Sequence, residues 1–142
     1  LEGVSGMKYM YHEPCHTPMK IHSGIKVANQ LMGTRVDLND RCCGESGTLA
    51  VARPDISTQV RFRKQQEIEA GAAALREDDA QAPVKVLTSC PSCLQGLSRY
   101  EPDGAVEADY IVVEIARHIL GEDWMPQYVD RANRGGIERV LL

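Results

Sequence analysis

Five cysteines constrain this chain more than any other feature of its 142 residues. They form three groups: Cys15 alone, the adjacent Cys42 and Cys43, and the pair Cys90 and Cys93 with Pro91 and Ser92 between. Gaps of 26 and 46 residues separate the groups. Each group follows a segment that reads as a strand: residues 7–11, 36–38 and 84–88, the last rich in β-branched side chains. Helical patterns fill the intervals. Ile25, Ala28, Leu31 and Met32 recur at helical spacing and Gly33 supplies a stop. Pro54 stands where a helix begins, and from Asp55 to about Asp78 Ile56, Val60, Ile68, Ala72 and Leu75 fall near one face. Arg61, Arg63, Lys64, Glu67 and Glu69 fall mostly elsewhere. A helix is expected from Cys93 to about Tyr100, a loop over 101–105, a helix over 110–120, and irregular chain around Asn133, Arg134, Gly135 and Gly136. Strands alternating with helices predict an α/β fold, a small and mostly parallel sheet of three or four strands with flanking helices. In such a sheet the loops after the strands share one edge, where ligand sites gather, so all five cysteines can converge there.

The length suits one domain spanning 1–142, with residues 1–6 as linker or non-native remnant and 122–142 as a C-terminal extension. The missing initial Met suits a segment of a longer protein. Apolar residues at 43% and charged residues at 25% exclude a disordered or fibrous chain. A net charge of −4 without a basic stripe argues against nucleic acid. No apolar run approaches the roughly 18–20 residues of a membrane span, and no secretory signal opens the chain. The expected setting is cytoplasmic, with thiols kept reduced.

Thiolates are soft ligands that favour zinc, copper(I) or iron–sulfur clusters. Structural zinc and a simple cubane cluster take four ligands each, leaving one cysteine over. An irregular cluster of several irons could use all five. Three other readings stay open: a zinc module with a spare thiol, a dithiol–disulfide site at Cys90 and Cys93, and small buried cysteines with no ligand at all. Gly44 and Gly47 let the loop after Cys43 bend so that both adjacent sulfurs aim inward. His12 and His16 flank Cys15 and suit hydrogen bonding to sulfur as well as a structural role in the turn. Arg41 can offset thiolate charge or lie in solvent, and Glu45 and Ser46 can hydrogen-bond near the site. Arg61, Arg63 and Lys64 read first as a solvated helix face and second as a docking patch for a redox partner. No Ser-His-Asp set, paired carboxylates or dinucleotide fingerprint is present.

The segments Tyr-His-Glu-Pro-Cys-His (11–16), Arg-Cys-Cys-Gly (41–44) and Ser-Cys-Pro-Ser-Cys (89–93) resemble the cysteine-rich "CCG" domain, over about residues 8–120. That domain occurs in heterodisulfide reductase and in iron–sulfur proteins of glycolate, lactate and glycerol-3-phosphate oxidising systems. The resemblance implies a noncubane [4Fe–4S] cluster held by Cys15, Cys42, Cys43, Cys90 and Cys93, with His12, His16, Arg41 and Gly44 around it. The run Arg-Cys-Cys-Gly-Glu-Ser-Gly and the later Val-Arg-Phe-Arg-Lys are similar to large fused proteins joining an FAD-linked dehydrogenase domain to iron–sulfur domains. It implies an oxidoreductase module that passes electrons from a flavin domain acting on a 2-hydroxy acid, or that performs heterodisulfide-reductase-like chemistry. The isolated domain is not expected to be active alone. The implied partners are the FAD-linked and other Fe–S domains of a parent chain, and a redox protein or quinone pool. Contact with the inner membrane would be peripheral, through those partners.

Overall fold

The computed structural model describes residues 1–2, 4–45, 48–101 and 106–135. Its centre is a four-stranded parallel sheet in the order β2-β1-β3-β4. The strands are β1 (Lys8–His12), β2 (Val36–Asn39), β3 (Val84–Thr88) and β4 (Val106–Tyr110). Helices α1 (Gly24–Met32), α2 (Leu49–Ala52), α3 (Pro54–Leu75), α4 (Pro91–Leu97), α5 (Ile111–Leu120) and α6 (Trp124–Gly135) complete the described chain, with a 3-10 turn at Ser98–Tyr100. This is the α/β architecture with a parallel sheet and flanking helices that the pattern predicts.

Parallel sheets are covered on both faces, and accordingly all of β3 and every residue of β1 after Lys8 are buried. Period-two alternation sorts their side chains into two cores. Met10, Val84, Val86 and Val106 pack with Ile68, Ala72 and Leu75 of α3, Leu97 of α4, Tyr100, and the sulfur-bearing Cys43 and Cys93. Tyr9, Tyr11 and Leu87 face the other way, toward Ala28 and Met32 of α1, Val36, and Ile111 of α5. His12 is two residues beyond Met10, so its ring falls on the α3 side.

Four expectations are corrected. His12 is the last residue of β1, not part of the following turn. Residues 106–110 form a fourth strand on the edge of the sheet, so the helix starts at Ile111. The stretch expected to be irregular is helical to Gly135, because Trp124, Tyr128 and Val129 keep helical spacing on a surface helix with no buried residue. The buried stripe of α3 is Ser57, Lys64, Ile68, Ala72 and Leu75, whereas Ile56 is exposed and Val60 half-buried. The apolar sheet lies under only the C-terminal half of α3; its N-terminal half lies against the polar cysteine loops, as Ser57 on the Gly44 carbonyl shows. The readings placed on Ser46, Gly47, Gly136 and most of the 101–105 loop lie outside the described residues.

Candidate metal centre

The chain runs from β1 to β2 on one side, then crosses to β3 on the other. The strand order therefore reverses between β1 and β3, and in open parallel sheets ligands bind at the carboxyl ends of the strands beside such a point. The loops after β1 and β3 carry Cys15 and Cys90, and the loop after β2 carries Cys42 and Cys43. Thr88 at the end of β3 donates its hydroxyl to the His12 carbonyl at 3.4 Å, tying the two strand ends together.

All five cysteines are free thiols. Cys43 and Cys93 are buried with their Sγ atoms 3.5 Å apart, and Cys90 is half-buried at the N-cap of α4. Cys15 and Cys42 are exposed. The electrostatics link them into one group. The Cys43 thiol is pulled down to about 4, first by the hydrogen bond from Cys93, against burial, and then by His12 and the Glu45 backbone N–H. Cys93 is pushed up, first by its hydrogen bond to Cys43 and then by burial and the nearby Cys90. These two sulfurs titrate as a pair that keeps one proton between them. Burial also raises Cys15, helped by the charge and hydrogen bond of Cys42 and the charge of Cys43. These interactions link the cysteines of the three loops in a chain graded from buried to exposed, while among the described residues only Cys43 and Cys93 of the five fall in a group tight enough to hold one metal ion.

The turn after Cys43 depends on Gly44. Its φ of +79° is left-handed, and a Cβ there would stand 3.1 Å from Cγ of Arg61. The Gly44 N–H points at Cys42 Sγ, 3.4 Å away, and its carbonyl accepts from Ser57 at 3.1 Å. Arg41 is exposed, and its backbone N–H donates to the Glu67 carboxylate at 3.2 Å. His16 is exposed. Glu45 pairs with Arg99 of the 3-10 turn.

His12 is wholly buried. One of its ring nitrogens and the sulfurs of Cys43 and Cys93 lie within 4.8 Å of one another, close enough to hold one metal ion. Its Nδ1 is 3.1 Å from the Asn39 carbonyl and 2.9 Å from Lys64 Nζ, while Nε2 has no hydrogen-bond partner among the described residues. Lys64 was expected on a solvated face or in a docking patch; it is instead 0% exposed. Its ammonium reaches His12, both oxygens of Asn39, and Glu67 at 2.9 Å. Burial lowers its pKa, and the Glu67 carboxylate works against that. Asn39, Lys64 and Glu67 were thus missed as site residues. A signal existed, because stepping back four residues from Ile68 along the buried stripe lands on Lys64.

A soft, thiol-rich donor set with an orphaned buried nitrogen fits a bound metal group. Fold and site together define a small parallel α/β domain with a cysteine-rich site, able to take metal, at the switch point of its sheet. The cysteine-rich domain family, CCG, matches residues 9–98, and the chain belongs to that family. A domain of unknown function, DUF3400, matches residues 98–142. No curated protein and no solved structure matches the chain. Among the described residues no helix is long and apolar enough to cross a membrane.

Proposed function

We propose that this domain holds an iron–sulfur cluster, of the noncubane [4Fe–4S] kind that the CCG resemblance implies, and serves as an electron-transfer module of an oxidoreductase. The observation that supports this reading is the 3.5 Å approach of the buried Cys43 and Cys93 sulfurs from two different loops, with the free Cys15, Cys42 and Cys90 on the same strand-ending loops. A bound cluster would supply a one-electron redox centre whose potential follows burial and hydrogen bonding to its sulfurs. Cys43 and Cys93 would hold its buried side, and Cys90 would hold it from the start of α4. Cys15 and Cys42, both exposed, would face the side on which electrons are exchanged. One electron enters and one leaves, so no bond need form or break in the domain itself. By the same resemblance the donor would be a flavin domain oxidising a 2-hydroxy acid. The acceptor would be a redox protein or the quinone pool, in the cytoplasm or at the inner membrane's surface.

A self-contained dithiol site needs only Cys90 and Cys93. The 3.5 Å contact of Cys93 with Cys43 instead joins that pair to the second loop. Anaerobic reconstitution with iron and sulfide tests the proposal. Several irons and an equivalent amount of acid-labile sulfide should bind per chain, and Cys15→Ser and Cys42→Ser should each lower both. One zinc per chain with no sulfide uptake would refute it and support a structural zinc module.

A further inference from the structure

Beneath the sulfurs lies a polar column that cluster ligation alone does not require: His12, Lys64, Asn39 and Glu67. We propose that Lys64 is a positioning residue. By donating to Nδ1 of His12 it holds the ring as the Nε2–H tautomer, which makes His12 a hydrogen-bond donor to the sulfurs of Cys43 and Cys93 and not a metal ligand. The proposal rests on the reading of this site as a thiolate-held metal group.

A neutral imidazole carries one N–H and one lone pair, and whatever faces one nitrogen decides what the other can do. Two neighbours compete for Nδ1. The Asn39 carbonyl, 3.1 Å away, can only accept, and would place the proton on Nδ1 and free Nε2 to bind metal. The Lys64 ammonium, 2.9 Å away, can only donate, and would place the lone pair on Nδ1 and the proton on Nε2.

Counting partners decides between them. The Asn39 carbonyl has another donor, the Glu13 backbone N–H at 3.3 Å, and it lies farther from Lys64 (3.3 Å) than Nδ1 does (2.9 Å). It does not need His12. Lys64 has three N–H groups. Glu67 takes one at 2.9 Å and the Asn39 side-chain oxygen takes another, which leaves the third for Nδ1. An N–H at Nδ1 would set two donors head to head at hydrogen-bond distance in a site shielded from water, where the repulsion is poorly screened. The proton therefore sits on Nε2. That atom is buried and makes no hydrogen bond within the protein, and Nδ1 is already engaged, so the Cys43 and Cys93 sulfurs, within 4.8 Å of one ring nitrogen, are the acceptors it would reach when they hold the metal group. The N–H, with the ammonium behind it, would stabilise the added negative charge of a reduced cluster and raise its potential.

The test uses 15N-histidine NMR on the reduced, metal-free protein, where long-range proton–nitrogen couplings distinguish the tautomers. His12 is assigned by its loss in His12→Phe. The expected result is Nε2–H in the wild type and Nδ1–H in Lys64→Met, with melting confirming that the variant is folded. A wild-type Nδ1–H tautomer overturns the proposal by itself, whether or not Lys64→Met folds. A second arm uses reconstituted protein. His12→Phe should keep the wild-type iron and sulfide content while its midpoint potential falls. Loss of iron in that variant would make His12 a ligand and overturn the proposal. If the wild type itself takes up no iron, the cluster reading fails, while the tautomer result stands or falls on its own.

Discussion

Replacing Glu114 by Gln should destabilise the fold by about 3 kcal/mol and leave the cysteine site intact. Glu114 of α5 is 2% exposed and meets Lys85 of β3, 5% exposed, at 2.9 Å. Tyr9 of β1 donates its hydroxyl to the same carboxylate at 2.8 Å, and Arg117 donates at 2.6 Å. Removing one partner of a buried ion pair costs about 3–5 kcal/mol, because the other charge stays buried and unpaired. The lower end applies here. Glu107 lies 3.5 Å from Lys85, though it is 56% exposed, and Arg117 keeps Asp109 and Glu122. With a urea m-value of about 1–3 kcal/mol/M, the midpoint should fall by about 1–3 M. Replacing both partners, as Glu114→Leu with Lys85→Met, should recover most of the loss, since a matched apolar pair avoids the desolvation of two ions. The pH dependence has a definite sign. Burial alone would raise the Glu114 pKa, but the hydrogen bonds from Lys85 and Tyr9 and the charges of Lys85 and Arg117 outweigh it and hold it below the ordinary value. Its contribution is therefore fully present above the unfolded value of about 4.3 and is lost as pH falls through the lower folded value. Glu114→Gln should lack that loss. A Gln variant within about 1 kcal/mol of wild type, or a double variant as unstable as the summed singles, would refute the reasoning.

Three other outcomes are expected. Gly44→Ala should cost about 1–2 kcal/mol for its left-handed backbone and lower iron bound after reconstitution, because Cys42 and Cys43 flank the turn; urea titration and iron analysis check both. Ile68→Ala, at a site 2% exposed in the core that contains Cys43 and Cys93, should cost about 2–5 kcal/mol by the same titration. In metal-free reduced protein, iodoacetamide should label the exposed Cys15 and Cys42 before the buried Cys43 and Cys93, read by mass spectrometry of short exposures.

The strands that carry the cysteines were legible because each ended in chemistry that breaks a strand. Val84–Thr88 stops before Ser-Cys-Pro, and Val36–Asn39 runs into a Gly-containing turn. Gly33, with φ +62°, closes α1 as a stop signal should. The edge strand β4 was harder to see. Val-Glu-Ala-Asp-Tyr does alternate with period two, but it abuts, without a turn residue, the helical spacing of Ile111, Ile115, Ile119 and Leu120, so the helix pattern absorbs its last residue. Helix α6 buries nothing, so its Trp124, Tyr128 and Val129 spacing had no core to confirm it.

The misplacement of Lys64 has a more instructive cause. Periodicity assigns a face by assuming that the buried side of a helix is apolar, which holds only where the helix covers an apolar layer. Along α3 that layer ends near Ile68. Beyond it the helix covers strand ends and loops, whose carbonyls, imidazole and thiols need hydrogen-bond partners once water is excluded. There the buried position should be polar, and Ser57 and Lys64 supply donors to Gly44, Asn39 and His12. A Lys in register with the apolar stripe of a helix, three residues before a Glu, can therefore mark the stretch where that helix passes from the core onto a site.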